Sequence, residues 1–208
     1  MDAGNKTILT LFAQTEVFIY IFVEIMLSLQ PVQRVILKMG GWRDKFFFIL
    51  FFGVFSIMGT ALGIPLKEGV IANIRDLALM LAALTAGPFV GICVGLIGGV
   101  HRLTMGGLTA VPCSIATIMT GLIFGCIYHL NKGKLIGIIP AMAFAMLNEI
   151  MHGAIAMLIV KPWGVVWAEM SIATPAMVIA NSLGIAIGII MTSKAMKEYK
   201  NLLGCRRV

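Results

Sequence analysis

Arg75 and Arg102 stand at the two ends of an otherwise apolar stretch, "IANIRDLALMLAALTAGPFVGICVGLIGGVHRLTMGG", residues 71–107. An arginine carries a permanent charge and a planar fork of donors, so two of them converging in an apolar setting suit a carboxylate or phosphate. Two such cations about 8 Å apart repel by about 2 kcal/mol at an effective dielectric near 20, a penalty that an anion between them reverses. Asn73, Asp76 and His101 flank the arginines, and Cys113, Ser114 and Thr117 open the next apolar segment. Asp76 is expected to leave Arg75 unsatisfied, because adjacent helix positions point about 100° apart. A second polar group, Asn148, Glu149 and His152, interrupts a later apolar run. Glu149 and His152 share a helical face at i, i+3, and Asn181 is a candidate bridge to them. Ionisable residues inside membrane segments are functional candidates by default. The plainer alternatives are interfacial snorkelling for the arginines and simple packing for Cys113.

These residues need a membrane scaffold. Of the 208 residues, 60% are hydrophobic and 12% charged, and the apolar residues come in long runs, which defines an integral membrane protein. The net charge of +7 is read as cationic loops facing anionic lipid rather than as a nucleic-acid surface. No nucleic-acid module is present. The four cysteines show no paired spacing, so neither a metal site nor a disulfide framework is expected. There is no nucleophile with its base, no phosphate loop and no cofactor motif, so no catalytic role is expected for this stretch of chain and no cofactor is implied.

Runs of about 20 apolar residues at about 8–29, 46–66, 109–130, 135–160 and 171–194 predict spanning helices. The segment 70–101 would run about 48 Å as one helix, well beyond a hydrocarbon core of about 30 Å, and Gly87-Pro88 near its middle predicts a break. A hairpin, 70–86 and 88–101, also places the basic clusters at 34–45, 132–134 and 194–207 on one side, as the positive-inside rule requires. The expected fold is an all-α polytopic bundle of six to seven transmembrane helices, with the N-terminus outside and the C-terminus cytoplasmic. In that hairpin Arg75 and Arg102 sit about 18 and about 21 Å above the bend, neighbours in depth near the outer end. Gly91, Gly95 and Gly99, with Gly121/Gly125 and Gly184/Gly188, are read as close-packing stripes.

"NIRD" at 73–76, "GPFVGICVGLIGGVHR" at 87–102 with the following "GG", and "ANSLG" at 180–184 resemble the LytS/YhcK-type transmembrane receptor domain of bacterial sensor histidine kinases. The resemblance covers about 30–195, with 1–29 as an additional N-terminal transmembrane helix and 196–208 as a basic cytoplasmic tail or linker. It implies a five-helix sensor in the bacterial cytoplasmic membrane, a homodimer that is either the sensor portion of a longer receptor, reporting to a response regulator through a histidine kinase or other output domain, or a free-standing sensor subunit. Some relatives are regarded as sensors of pyruvate, with a site attributed to two arginines, a cysteine and a serine. Arg75, Arg102 and Cys113 match that pattern, whereas the serine position holds Ala116, with Ser114 and Thr117 nearby. The resemblance thus implies a small-carboxylate receptor. The alternative is a small solute carrier or the substrate-binding membrane subunit of a vitamin-type transporter, which uptake of labelled solute into proteoliposomes distinguishes.

Overall fold

The computed structural model describes residues 3–205. The chain runs α1 (Ala3–Ser28), α2 (Gln30–Ile36), α3 (Trp42–Ala61), β1 (Ile64–Pro65), β2 (Ile71–Ala72), α4 (Arg75–Ala86), α5 (Pro88–Thr104), α6 (Ala110–Leu130), α7 (Ile138–Ile159) and α8 (Trp163–Cys205). The two short strands pair antiparallel, Ile64 with Ala72 and Pro65 with Ile71. The all-α polytopic class is as expected, but the span count is not. Among the described residues five helices are long and apolar enough to cross a membrane, rather than six to seven. The difference lies in the hairpin: α4 has 12 residues and α5 has 17, so they rise only about 18 and about 26 Å. Residues 70–74, expected to be helical, are instead the second strand and an extended lead into α4.

Gly87 makes the hairpin. It ends α4 and precedes α5 with φ of 91°, a backbone region that glycine enters without a Cβ clash, and Pro88 then occupies the first turn of α5. The short α4 is the centre of the bundle: every residue from Arg75 to Thr85 is buried, against α3, α5, α6 and α8. Such a helix is apolar all round because no face meets lipid. α5 and α6 approach until a methyl group on Gly91 would collide with the Gly121 carbonyl, and one on Gly125 with Pro88. Only glycine permits this contact, the expected small-residue packing of membrane helices. Phe22 of α1 stacks edge-on with Phe52 of α3, ring centroids 5.0 Å apart, holding the first helix to the domain.

The ends of the bundle sort the loops. Lys38, the end of α4, the 131–135 turn and Lys200 surround one cavity, and the Tyr128 ring covers Gly87. At the other end Gly69 abuts Gly107, and the Lys67 amide donates to Glu169 at 3.1 Å. The hairpin therefore gathers the basic segments at one end. α8 passes position 195 without a break, and its 43 residues extend about 64 Å, twice a hydrocarbon core. Arg206 and Arg207 of the basic tail lie outside the described residues.

This arrangement predicts opposite accessibility for two exposed positions. In a background without other thiols, Met105→Cys should react with an impermeant maleimide from outside intact cells, and Gly137→Cys only after permeabilisation. Reaction of both from the same side would contradict the hairpin.

Candidate functional site

The site begins with how α4 starts. Asn73 accepts the Arg75 amide on Oδ1 at 3.1 Å and donates from Nδ2 to the Ile71 carbonyl at 2.9 Å, an Asx turn that satisfies one of the orphan donors of the first helical turn. Asn73 is thus a positioning residue. The turn places Arg75 and Asp76 side by side at the open end of the hairpin, both with no exposed surface. The Arg75 backbone presses against Gly59, and its stem passes Gly98, where a Cβ would meet Arg75 Cδ at 3.4 Å and also collide with the Ser56 hydroxyl.

Asp76 does reach Arg75, contrary to the expectation from helical spacing: Nε donates to Oδ1 at 3.1 Å. The 100° rule describes Cβ directions, whereas the long arginine stem, lying at the first turn, bends back to its neighbour. The same carboxylate accepts from Thr117 Oγ1 at 3.2 Å and has His152 Nδ1 at 3.0 Å from Oδ2. Asp76 therefore joins α4, α6 and α7. Asn181 of α8 completes the ring, donating from Nδ2 to Glu149 Oε1 at 3.0 Å and to the Asn73 carbonyl at 3.3 Å. Beside it, Thr120 donates to Asn148 Oδ1 at 2.8 Å.

Arg102 leaves α5 in its last turn and donates from Nη1 to the Gly106 carbonyl at 2.6 Å, and from Nη2 to the Gly69 carbonyl at 2.8 Å and to Thr109 Oγ1 at 3.2 Å. It makes no salt bridge among the described residues. The buried Cys113 stands in the first turn of α6, its amide donating to the carbonyl of Thr109, the residue that binds Arg102. Several buried atoms have no partner among the described residues: Nη1 and Nη2 of Arg75, Nε of Arg102, Nε2 of His152 and Oε2 of Glu149. Two free guanidinium NH2 groups in a fully buried position are the donor fork that a carboxylate accepts.

Two residues expected at the site fall elsewhere. Ser114 donates to the carbonyls of Gly99 and Ala110, both at 2.8 Å, and so locks α6 to α5. His101 is half-buried, with Nδ1 unpartnered, and has no described bond to the cluster. Two further residues carry no obvious sequence signal: Thr109, which orients Arg102, and Ser56, whose buried hydroxyl has no partner near the Arg75 stem. Both look like ordinary small polar residues at helix packing positions. Donor atoms of Asp76, Glu149 and His152 also come within 4.8 Å of one another, a metal-like spacing. The Arg75 guanidinium bonded to Asp76 opposes a divalent ion there, so the trio reads as a charge-compensating network.

Known proteins are similar to this chain over most of its length. Residues 30–195 match the family described as 5TMR of 5TMR-LYT. The chain belongs to this family, the LytS-type transmembrane sensor domain. It is 34% identical over 176 residues to the sensor histidine kinase BtsS of Escherichia coli K12, covering 81% of this chain and 30% of that protein. It is 30% identical over 188 residues to the sensor protein LytS of Bacillus anthracis, covering 83% of this chain and 32% of the relative. Over 78 residues, 36% of this chain and 14% of the relative, it is 42% identical to the sensor histidine kinase YpdA of Escherichia coli K12. The chain spans about a third of the length of the first two of these relatives. No solved structure matches.

The network makes a stability prediction. Asp76→Leu strands a buried guanidinium and should lower stability by about 3–5 kcal/mol. The double variant Arg75→Met/Asp76→Leu should be more stable than Asp76→Leu alone, measured by unfolding in micelles. A double variant less stable than the single would contradict the pairing.

Proposed function

We propose that this domain is the extracytoplasmic-facing receptor for a small carboxylate such as pyruvate, held between Arg75 and Arg102 with Cys113 shaping the pocket. The observation that carries the reading is the Arg75 guanidinium: buried, anchored by Asp76 through Nε, with both terminal nitrogens unpartnered among the described residues. Arg102 supports it with a second positive charge that no described carboxylate compensates. Asp76 offsets one arginine, so one anionic ligand balances the pair. Buried His152 Nε2, without a partner among the described residues, offers a further polar contact to a keto or hydroxy group. Ala116 is buried on the same α6 face as Cys113, so this site lacks a hydroxyl that a serine there would provide. Thr117, one residue on, directs its hydroxyl to Asp76 and the Cys113 carbonyl instead.

Output runs through α8. Asn181 ties this helix directly to the site, while its far end extends to Lys194, Lys197 and Lys200, so ligand contacts that favour one position of α8 shift the tail. In the proposed setting the domain lies in the bacterial cytoplasmic membrane with its basic end inside, works as a homodimer, and addresses a response regulator through a kinase domain attached to α8. What supports this is the histidine-kinase relatives and the clustering of basic loops at one end.

Titration calorimetry on the purified domain tests the site. Arg75→Gln should weaken pyruvate binding by roughly ten- to a hundredfold, the loss of one charge-assisted interaction of about 1.5–3 kcal/mol. Arg75→Lys should not restore it, because a point charge does not reproduce the planar fork. Arg102→Gln should weaken binding similarly and also lower the unfolding temperature, since it releases the Gly69 and Gly106 loops. Wild-type affinity in both glutamine variants would overturn the two-arginine site.

A further inference from the structure

At the end of the bundle opposite the arginines, α2, the tip of α4, the 131–135 turn and α8 enclose a cavity of about 370 Å³. Its rim carries Lys38, Lys134 and Lys200 with Tyr128, and its floor is apolar, formed chiefly by Leu84 and Met196. No carboxylate lines it, and none of the three lysines forms a salt bridge among the described residues. Three ammonium groups around one opening repel one another, and a multiply oxygenated anion relieves that repulsion. Lysine is a point-charge donor well suited to phosphate.

The backbone is arranged around the rim. Lys38 holds φ of 60°, in the left-handed region that non-glycine residues seldom occupy, and its ammonium lies 5.8 Å from the centroid of the Tyr128 ring. Gly133, with φ of 70°, packs against both the Lys38 ammonium and the Tyr128 hydroxyl, leaving no room there for a side chain. Both turns are helix C-terminal caps, closed by Met39 N–H to the Arg34 carbonyl and Gly133 N–H to the Tyr128 carbonyl, and they bring the two helix ends together at the rim. A rim of lysines beside apolar side chains, at the end of the bundle where the basic segments gather, suits a lipid headgroup phosphate.

We propose that this cavity binds the phosphate of an acidic phospholipid and thereby fastens α8 to the 37–41 and 131–135 turns. The site is distinct from the carboxylate pocket and stands independently of its ligand. Because Lys200 lies on α8 and Lys38 and Lys134 do not, the bound phosphate couples the lipid to the position of the helix that leaves the membrane.

Native mass spectrometry of the full chain, with phosphatidylglycerol or phosphatidylcholine added, tests the proposal alongside thermal unfolding with the same lipids or with inorganic phosphate. Phosphatidylglycerol should be retained and stabilising, and phosphatidylcholine should not. Each Lys→Gln change at 38, 134 or 200 should weaken retention about fivefold, and the triple variant roughly a hundredfold. A control triple, Arg43→Gln/Lys45→Gln/Lys197→Gln, removes the same charge from the same end and should retain the lipid. Stabilisation by phosphatidylglycerol alone assigns the lipid headgroup, and equal stabilisation by inorganic phosphate assigns a free phosphate site. Equal retention in wild type and the cavity triple, or equal loss in the control triple, would overturn the proposal. The exposed single variant Lys134→Gln provides the comparison if the triple does not fold.

Discussion

A guanidinium without exposed surface inside a membrane bundle is a severe constraint, and the contact between Arg75 and Asp76 is what makes it tolerable. Breaking such a pair by removing one partner costs several kcal/mol, because the remaining charge has neither water nor counterion. Asp76 spreads the constraint further by accepting from Thr117 and bonding His152, so that α4, α6 and α7 are all fixed relative to one carboxylate. Asn73 and Asn181 extend it to the start of α4 and to α8. The pair uses only Nε of the arginine. Its structural duty leaves the two terminal nitrogens available, and so the same residue holds the helices together and presents a donor fork.

The short hairpin follows from that requirement. A full-length helix at the centre would carry Arg75 to the membrane boundary, where it would snorkel to water. With 12 residues, α4 starts below the β1–β2 hairpin and the 104–109 turn, which cover it, and Arg102 pins both of these segments through Gly69, Gly106 and Thr109. The two arginines have different tasks as a result. Arg75 belongs to the floor of the site and Arg102 to its cover. Asn181 gives α8 a direct contact with the same network.

Much of this was legible in the residues. Gly87-Pro88 and the distribution of lysines and arginines were enough to infer the hairpin, and the hairpin was enough to bring Arg75, Arg102 and Cys113 to one end. The span count was overestimated because apolar composition continues through 70–74, where pairing of Ile71 and Ala72 with the first strand replaces the helix. Asp76 was misjudged because a spacing rule for Cβ directions says little about a long side chain at a helix terminus. Ser114 was placed in the pocket by proximity, but its hydroxyl bonds the Gly99 carbonyl because α5 has no side chain at that position to keep α6 away. The task of Thr109 depends on the three-dimensional closure of the loops, which no local pattern encodes, whereas the Asx turn of Asn73 is local.

The central claim is that a carboxylate lies against the free face of the Arg75 guanidinium. Solid-state NMR on the domain in lipid, with pyruvate labelled with carbon-13 at its carboxylate and with guanidinium nitrogen-15 arginine, measures this contact directly. A hydrogen-bonded pair places carbon and nitrogen about 4 Å apart, a distance at which the weak dipolar coupling is measurable by recoupling. The account predicts that coupling in the wild type and its marked reduction in Arg75→Gln. Undiminished coupling in Arg75→Gln, or none in the wild type at saturating pyruvate, would contradict it.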